Sequence, residues 1–183
     1  MPLVYQDFTG SPDDARRLVS DHREAIWLAV GGAGSIGWYD DQAALIARQP
    51  LSGPGVGAPI ELTPTSRPVD PSAPLAVEHG VVALRWFEVA PGAFGEFVEL
   101  STEAWPVFES VNDATVLGLF RADADGPDLT VALLATRYGS LAEWERSRQT
   151  VRATEGEAAE AGRRFQRRRQ LTRRSVVRVG RSL

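Results

Sequence analysis

From Val81 to Glu109 the chain reads VVALRWFEVAPGAFGEFVELSTEAWPVFE, and within that stretch the spacing of its apolar residues changes once. Val81 to Val89 is rich enough in β-branched and aromatic residues for a strand. Its two-residue period places Val81, Ala83, Arg85, Phe87 and Val89 on one face. Beyond Pro91-Gly92 the steps become three and four residues long. Phe94, Phe97, Val98, Ser101, Trp105 and Phe108 then line one side of a helix, while Glu96, Glu99 and Glu103 take the other. Pro91 suits the corner, because its fixed φ and missing N–H are compatible with a helix's first turn. A helix with three Phe and a Trp along one stripe needs a sheet to lie on, so the stretch predicts a layered α+β domain.

At 183 residues with 43% apolar side chains, the chain is long enough for a substantial core. The absence of Cys excludes disulfides, thiol nucleophiles and cysteine-held metals. With His22 and His79 as its two histidines, the sequence offers no histidine metal site, and no metal or cofactor is expected. All 20 basic residues are Arg, which rules out a Schiff-base lysine and a P-loop lysine together. The N-terminal MPLVYQDFTG has no leader pattern, and no apolar run reaches membrane-spanning length, so a cytoplasmic protein without membrane association is expected. Charge is unevenly placed: residues 151–183 hold ten Arg against Glu155, Glu157 and Glu160, whereas residues 1–150 hold ten Arg against 21 acids.

In chain order, residues 1–8 form a first strand. Ser11 is placed to cap a helix running from about Pro12 to Leu28. Gly32 to Gly37 matches GxGxxG, but no alternation of strands and helices follows it, so a helix end and turn is the better reading. Residues 50–77 form a linker with seven Pro and three Gly, in which Ile60-Glu61-Leu62 reads as an edge strand or as no element. After the Val81–Val89 strand and the Gly92–Glu109 helix come two β-rich runs, Ala114–Arg121 and Leu129–Tyr138, joined as a hairpin by DADGPD. Ser140 caps the next helix, a polar helical stretch covers residues 154–172, and Ser175–Val179 ends the series as a strand. The order is β-α-β-β-α-β, the ferredoxin-like arrangement. Phe8 with Pro12 echoes Phe87 with Pro91, and Trp38 to Ala43 echoes Arg137 to Ala142, each of the latter read as a strand end running into a short helix. Residues 1–49 are therefore expected to be a shortened ferredoxin-like half, followed by the linker 50–77 and a full unit over 78–183.

LRWFEVAPGAFGEFVEL from Leu84, VLGLFRA from Val116 and TRYGSLAEWERSR from Thr136 resemble the NIPSNAP-type branch of the dimeric α+β barrel superfamily. Arg85 and Phe87 match that branch's Arg-x-aromatic strand before Pro-Gly. Arg137, Tyr138, Ser140 and Leu141 match its Arg-Tyr strand end before a Ser-Leu-Glu-rich helix. The resemblance implies ferredoxin-like units joined into a barrel, across two chains or within one, with small apolar or aromatic ligands held between sheet and helices. It also implies a homodimer and a role in binding a small molecule or a protein partner. The superfamily's cofactor-free monooxygenases and isomerases supply the alternative. Its haem-dependent branches resemble this chain poorly, since residues 78–183 carry no helical His.

The candidate ligand residues are Arg85, Phe87, Trp105, Arg137 and Tyr138. Guanidiniums at a sheet's mouth can hold a carboxylate or enolate, with Tyr138 donating a hydrogen bond and the aromatic residues shaping a pocket. Strand parity sends Arg137 and Tyr138 to opposite faces, so not all of these residues share one cavity. The competing expectation pairs the strand arginines with Glu88, Glu99 or Glu103 and puts Trp105 in the core. Trp144 suits a subunit interface. The Arg run from Arg163 to Arg174 follows the acidic start of its own helix and allows a Glu160–Arg164 pair, so nucleic-acid binding is not expected. Asp123, Asp125 and Asp128 read as a solvated turn rather than a calcium loop.

Overall fold

The computed structural model describes residues 3–11, 13–14, 17–18, 29–30, 42–67, 80–156 and 158–181. Among them are eight strands: β1 (Leu3–Thr9), β2 (Ala29–Val30), β3 (Gln42–Ala47), β4 (Ile60–Pro64), β5 (Val81–Val89), β6 (Ala114–Gly126), β7 (Leu129–Tyr138) and β8 (Thr172–Arg181). Three α-helices join them, α1 (Phe94–Val111), α2 (Leu141–Thr150) and α3 (Ala159–Leu171). None of the described helices is long and apolar enough to cross a membrane.

All strand pairs are antiparallel, and the sheet closes on itself in the order β1-β3-β2-β8-β5-β7-β6-β4. Numbered within their own halves, β1 to β4 and β5 to β8 both run 4-1-3-2. The outer strands of one half pair with those of the other through β2–β8 and β4–β6. One chain thus builds a pseudo-dimeric α+β barrel that leaves no open edge. Tyr5, Ile46, Leu62, Leu84, Phe120 and Leu133 are buried in the interior, and Tyr5 meets Trp86 edge-on at 4.8 Å. Eight strands enclose just enough space for side chains to fill, so the barrel lumen is solid core. The hydroxyl of Tyr5 donates to Asp7 at 2.7 Å, and Arg178 donates to both, which ties β1 to β8 across the two halves.

The predicted switch of period is realised. Ala90 is extended, Pro91–Ala93 form a 3-10 turn, and α1 begins at Phe94. Ser140 caps α2 by accepting from the Glu143 N–H at 3.1 Å. At Gly80 the chain enters β5 with φ 101°, and a Cβ there would stand 2.1 Å from the Tyr138 carbonyl oxygen, so this junction requires glycine. A shift of register between Val116 and Gly118 resets the alternation in β6, putting Val116 and Leu119 against the helices and Phe120 in the lumen.

Several expectations need correction. Gln42–Ala47 is strand β3, where the echo of Arg137–Ala142 led to a short helix. Ala44 to Ala47 are buried on both faces, and burial between the lumen and an outer layer of Phe8 and Leu51 outweighs the helix preference of Ala and Leu. Ala29 and Val30, expected to continue a helical period, form β2. Ile60–Pro64 is a full barrel strand between β1 and β6 rather than a fragment. The last helix starts at Ala159 instead of residue 154. The Gly32–Gly37 motif, His22, His79 and the middle of the Pro12–Leu28 helix lie outside the described residues.

The charge asymmetry has a structural explanation. Arg164 binds Glu103 at 2.8 Å, and Arg167 grips Glu96 through two bonds of 2.6 and 3.1 Å, so the basic face of α3 is matched by the acidic face of α1. Glu160 completes the set by pairing with Arg163 and Arg164.

Candidate functional site

Outside the barrel, the face made by β8, β5, β7 and β6 carries α1 and α3 over Val81, Ala83, Phe87, Val89 and Leu134. Beneath α2 this layer does not fill. A cavity of about 1080 Å³ remains between the sheet, α2 and the inner side of α3. Its apolar wall includes Phe87, Phe108, Leu134, Trp144, Phe165 and Val179. Its polar groups are mostly hydrogen-bond donors.

Arg85 projects from β5 by the same parity that sends Phe87 outward, and both border the cavity. Its neighbour on the wall is Arg168 of α3, a buried residue only 8% exposed. The Arg168 guanidinium lies 5.1 Å from the Phe87 ring centre, 5.5 Å from that of Phe97 and 4.9 Å from that of Phe165, and it donates to the Ser101 hydroxyl at 3.2 Å. Among the described residues neither Arg85 nor Arg168 meets a carboxylate. Burial, followed by the charge of Arg85, pushes Arg168 down to about 9, which still leaves it a cation at neutral pH. Burial likewise lowers Arg85, with Tyr138 opposing and the Arg148 charge adding to the effect. Two cations are therefore held together in a largely apolar space with no counter-ion among the described residues.

Tyr138 closes β7 at this cavity, beside Ser147 of α2 and Thr136. Burial raises its phenol above the ordinary value, while Ser147 and the Arg85 charge pull the other way. The hydroxyl stays protonated and able to donate. Trp105 borders the same space from α1, while its indole N–H is buried away from the cavity surface without an acceptor among the described residues. A buried donor without a partner costs about 1–3 kcal/mol. Arg67 lies over the Trp105 ring, 5.1 Å from its centre, and is fixed by Glu109 at 2.8 Å and the Val116 carbonyl at 2.6 Å.

Four of the five residues expected to bind a ligand, Arg85, Phe87, Trp105 and Tyr138, thus border one cavity. Arg137 does not; it faces away from Tyr138 and pairs with Asp113 at 3.5 Å. The expected pairing of Arg85 with Glu88, Glu99 or Glu103 is absent among the described residues; Glu88 binds Arg174 and Glu103 binds Arg164. Trp144 borders the cavity under Arg148, whose guanidinium lies 5.6 Å from its ring. Arg168 was hidden in the Arg run, yet its spacing gave a signal. Ala161, Phe165, Arg168 and Thr172 recur at three- and four-residue steps, which puts Arg168 on the apolar stripe. No group of three or more metal-ligating side chains occurs among the described residues, and none of those bordering the cavity is His, Cys or Met.

No protein-family model matches this sequence, and no curated protein matches it either. Solved structures do. An anthrone oxidase-like protein superposes with a TM-score of 0.60 at 12% identity, covering 100% of this chain and 91% of the other. A ferredoxin-fold protein related to antibiotic biosynthesis monooxygenases, from Listeria monocytogenes, gives 0.52 at 14% identity, with 100% and 95% covered. A chlorite dismutase from Candidatus Nitrospira defluvii gives 0.56 at 8% identity, with 100% and 90% covered. At such identities the likeness is one of fold, and the chain has a ferredoxin-like α+β barrel fold, closed here by a single polypeptide.

Proposed function

We propose that this protein binds a small, largely aromatic molecule in the cavity between sheet and helices, with Trp105 in the wall, and holds one of its oxygen atoms as an anion against Arg85, Arg168 and Tyr138. The observation that carries this is the pair of guanidiniums, Arg85 and Arg168, turned into a partly apolar cavity where neither meets a carboxylate among the described residues. A charge so buried is costly unless something of opposite sign arrives, and charge-assisted bonds in a low-dielectric site are strong. The NIPSNAP-type resemblance of residues 78–183 fits a binding role of this kind. A homodimer and a cytoplasmic location belong to the same proposal. With the barrel closed within one chain, the dimer's interface lies elsewhere than between open sheet edges.

A second reading, cofactor-free oxygenation or isomerisation, is favoured by the donors that Arg85, Arg168 and Tyr138 bring to one cavity and by the names of two similar structures, the anthrone oxidase-like and monooxygenase-related proteins. Donors aimed where negative charge develops stabilise an enolate. Glu145 is the one carboxylate among the described residues bordering the cavity, so the wall is rich in anion stabilisers and poor in bases. Such a site suits a substrate acidic enough to ionise on binding. For anthrone, loss of the methylene proton gives the enolate. Dioxygen then oxidises that carbon to a carbonyl, with one oxygen atom retained and the other released as water.

Anthrone provides the test. Titration should quench tryptophan fluorescence through Trp105 and Trp144 with a one-to-one endpoint, and oxygen uptake should accompany it if the second reading holds. Binding without oxygen uptake leaves the binding role alone. Absence of both overturns the proposal.

A further inference from the structure

The arginines of this chain divide into two groups. On the outside of the helices Arg146, Arg163, Arg164 and Arg167 each hold a carboxylate: Glu143, Glu160, Glu103 with Glu160, and Glu96. On the cavity side, Arg148 of α2, Arg152 in the turn after it, and Arg168 and Arg169 of α3 hold none among the described residues. With Arg85, that makes five arginines against the single carboxylate of Glu145. A shortage of acids does not explain this, since the chain has 24 acidic residues and a net charge of −4. The cations also sit at two depths. Arg168 is buried and Arg85 partly buried, whereas Arg148, Arg152 and Arg169 are exposed at the mouth. One negative group bound inside would answer Arg85 and Arg168 and leave the three at the mouth unmatched. Like charges at this density repel one another until an anion arrives.

We infer that the natural ligand carries two separated negative groups on an aromatic or apolar body, one seated against Arg85 and Arg168 and the other at the mouth against Arg148, Arg152 and Arg169. This rests on the cavity's being a binding site and specifies the class of molecule it takes. The ring of Trp105 and the rest of the aromatic wall hold the body between the two charged ends.

Calorimetric titrations of the full chain with naphthalene-2-carboxamide, naphthalene-2-carboxylate and naphthalene-2,6-dicarboxylate test it. Affinity should rise about tenfold or more at each added charge, the step expected of a charge-assisted hydrogen bond. The double variant Arg152→Gln/Arg169→Gln changes exposed side chains only. It should weaken the dicarboxylate about tenfold while leaving the monocarboxylate within twofold, and added salt should weaken the dicarboxylate more steeply than the monocarboxylate. Equal affinity for mono- and dicarboxylate, or equal losses for both in the double variant, overturns the inference while leaving the cavity a binding site. The same strengthening with 2-naphthyl phosphate, whose charges share one end, overturns the two-position assignment. No binding of any naphthalene probe overturns the binding site itself.

Discussion

Replacing Arg168 with Met should make the protein more stable and a worse binder. From an ordinary value of 12.5 the Arg168 guanidinium falls to about 9, which corresponds to roughly 4–5 kcal/mol of unfavourable charge burial in the folded chain. Against that stand its positions over the Phe87, Phe97 and Phe165 rings, at about 0.5–1 kcal/mol each, and its bond to Ser101. The balance leaves the residue about 1–3 kcal/mol unfavourable to folding. A Met side chain would lie among the same rings without the charge, and its thioether packs well against aromatic edges. For a chain of this length the gain should raise the melting temperature by about 2–10 °C in scanning calorimetry at pH 7, while affinity for naphthalene-2-carboxylate falls at least tenfold. A variant destabilised by 1 kcal/mol or more would refute the reasoning, because it would show that the cation–aromatic contacts outweigh the buried charge and that Arg168 is there for the core.

Three further outcomes are expected. Arg85→Gln should remove carboxylate binding while changing the unfolding free energy measured in urea by less than about 1 kcal/mol, since Arg85 has no carboxylate partner among the described residues to leave stranded; a loss of stability without a loss of binding would be the contrary result. Gly80→Ala should cost about 2–4 kcal/mol, read by denaturant titration, because it combines φ 101° with a Cβ only 2.1 Å from the Tyr138 oxygen. Glu109 is pushed up by burial, but Arg67 and the Val116 N–H more than compensate and hold its carboxyl below the usual range. The stability it supplies is therefore present above the unfolded carboxylate range and is lost as pH falls through the lowered folded value. Glu109→Gln should be destabilised by about 1 kcal/mol at pH 7, and the difference from the parent chain should shrink toward zero below about pH 4.

The second half of the barrel was legible because its signals are local. The change from a two- to a three-and-four-residue period at Pro91 and the Ser140 cap each act within a few residues, and each is where the sequence puts it; the hairpin is also present, but β6 runs through the expected DADGPD loop to Gly126 and leaves only Pro127 and Asp128 as the turn. In the first half the decisive forces are distant. Ala43-Ala44-Leu45-Ile46 has no strand alternation, because β3 is covered on both faces, and β4 exists by pairing with β1 and β6 rather than by propensity. At the candidate site the strand parity of Arg85 and Phe87 and the helical stripe of Trp105 could be read directly. Arg168 was obscured by its neighbours, for in RRFQRRR only the three-and-four spacing separates the inward arginine from those that bind Glu96, Glu103 and Glu160. Which carboxylates the helices would reserve for one another depended on the packing of α1 against α3, and no local pattern encodes that.

Native mass spectrometry of the full chain with excess naphthalene-2-carboxylate tests most directly whether the space between sheet and helices is an anion-binding site. The parent protein should retain one carboxylate per chain, the Arg85→Gln variant none, and naphthalene-2-carboxamide should leave the parent unmodified at the same concentration. Retention of acid and amide alike, undiminished in Arg85→Gln, would contradict the account, since it would make the cavity an apolar pocket in which the unpaired guanidiniums have no part.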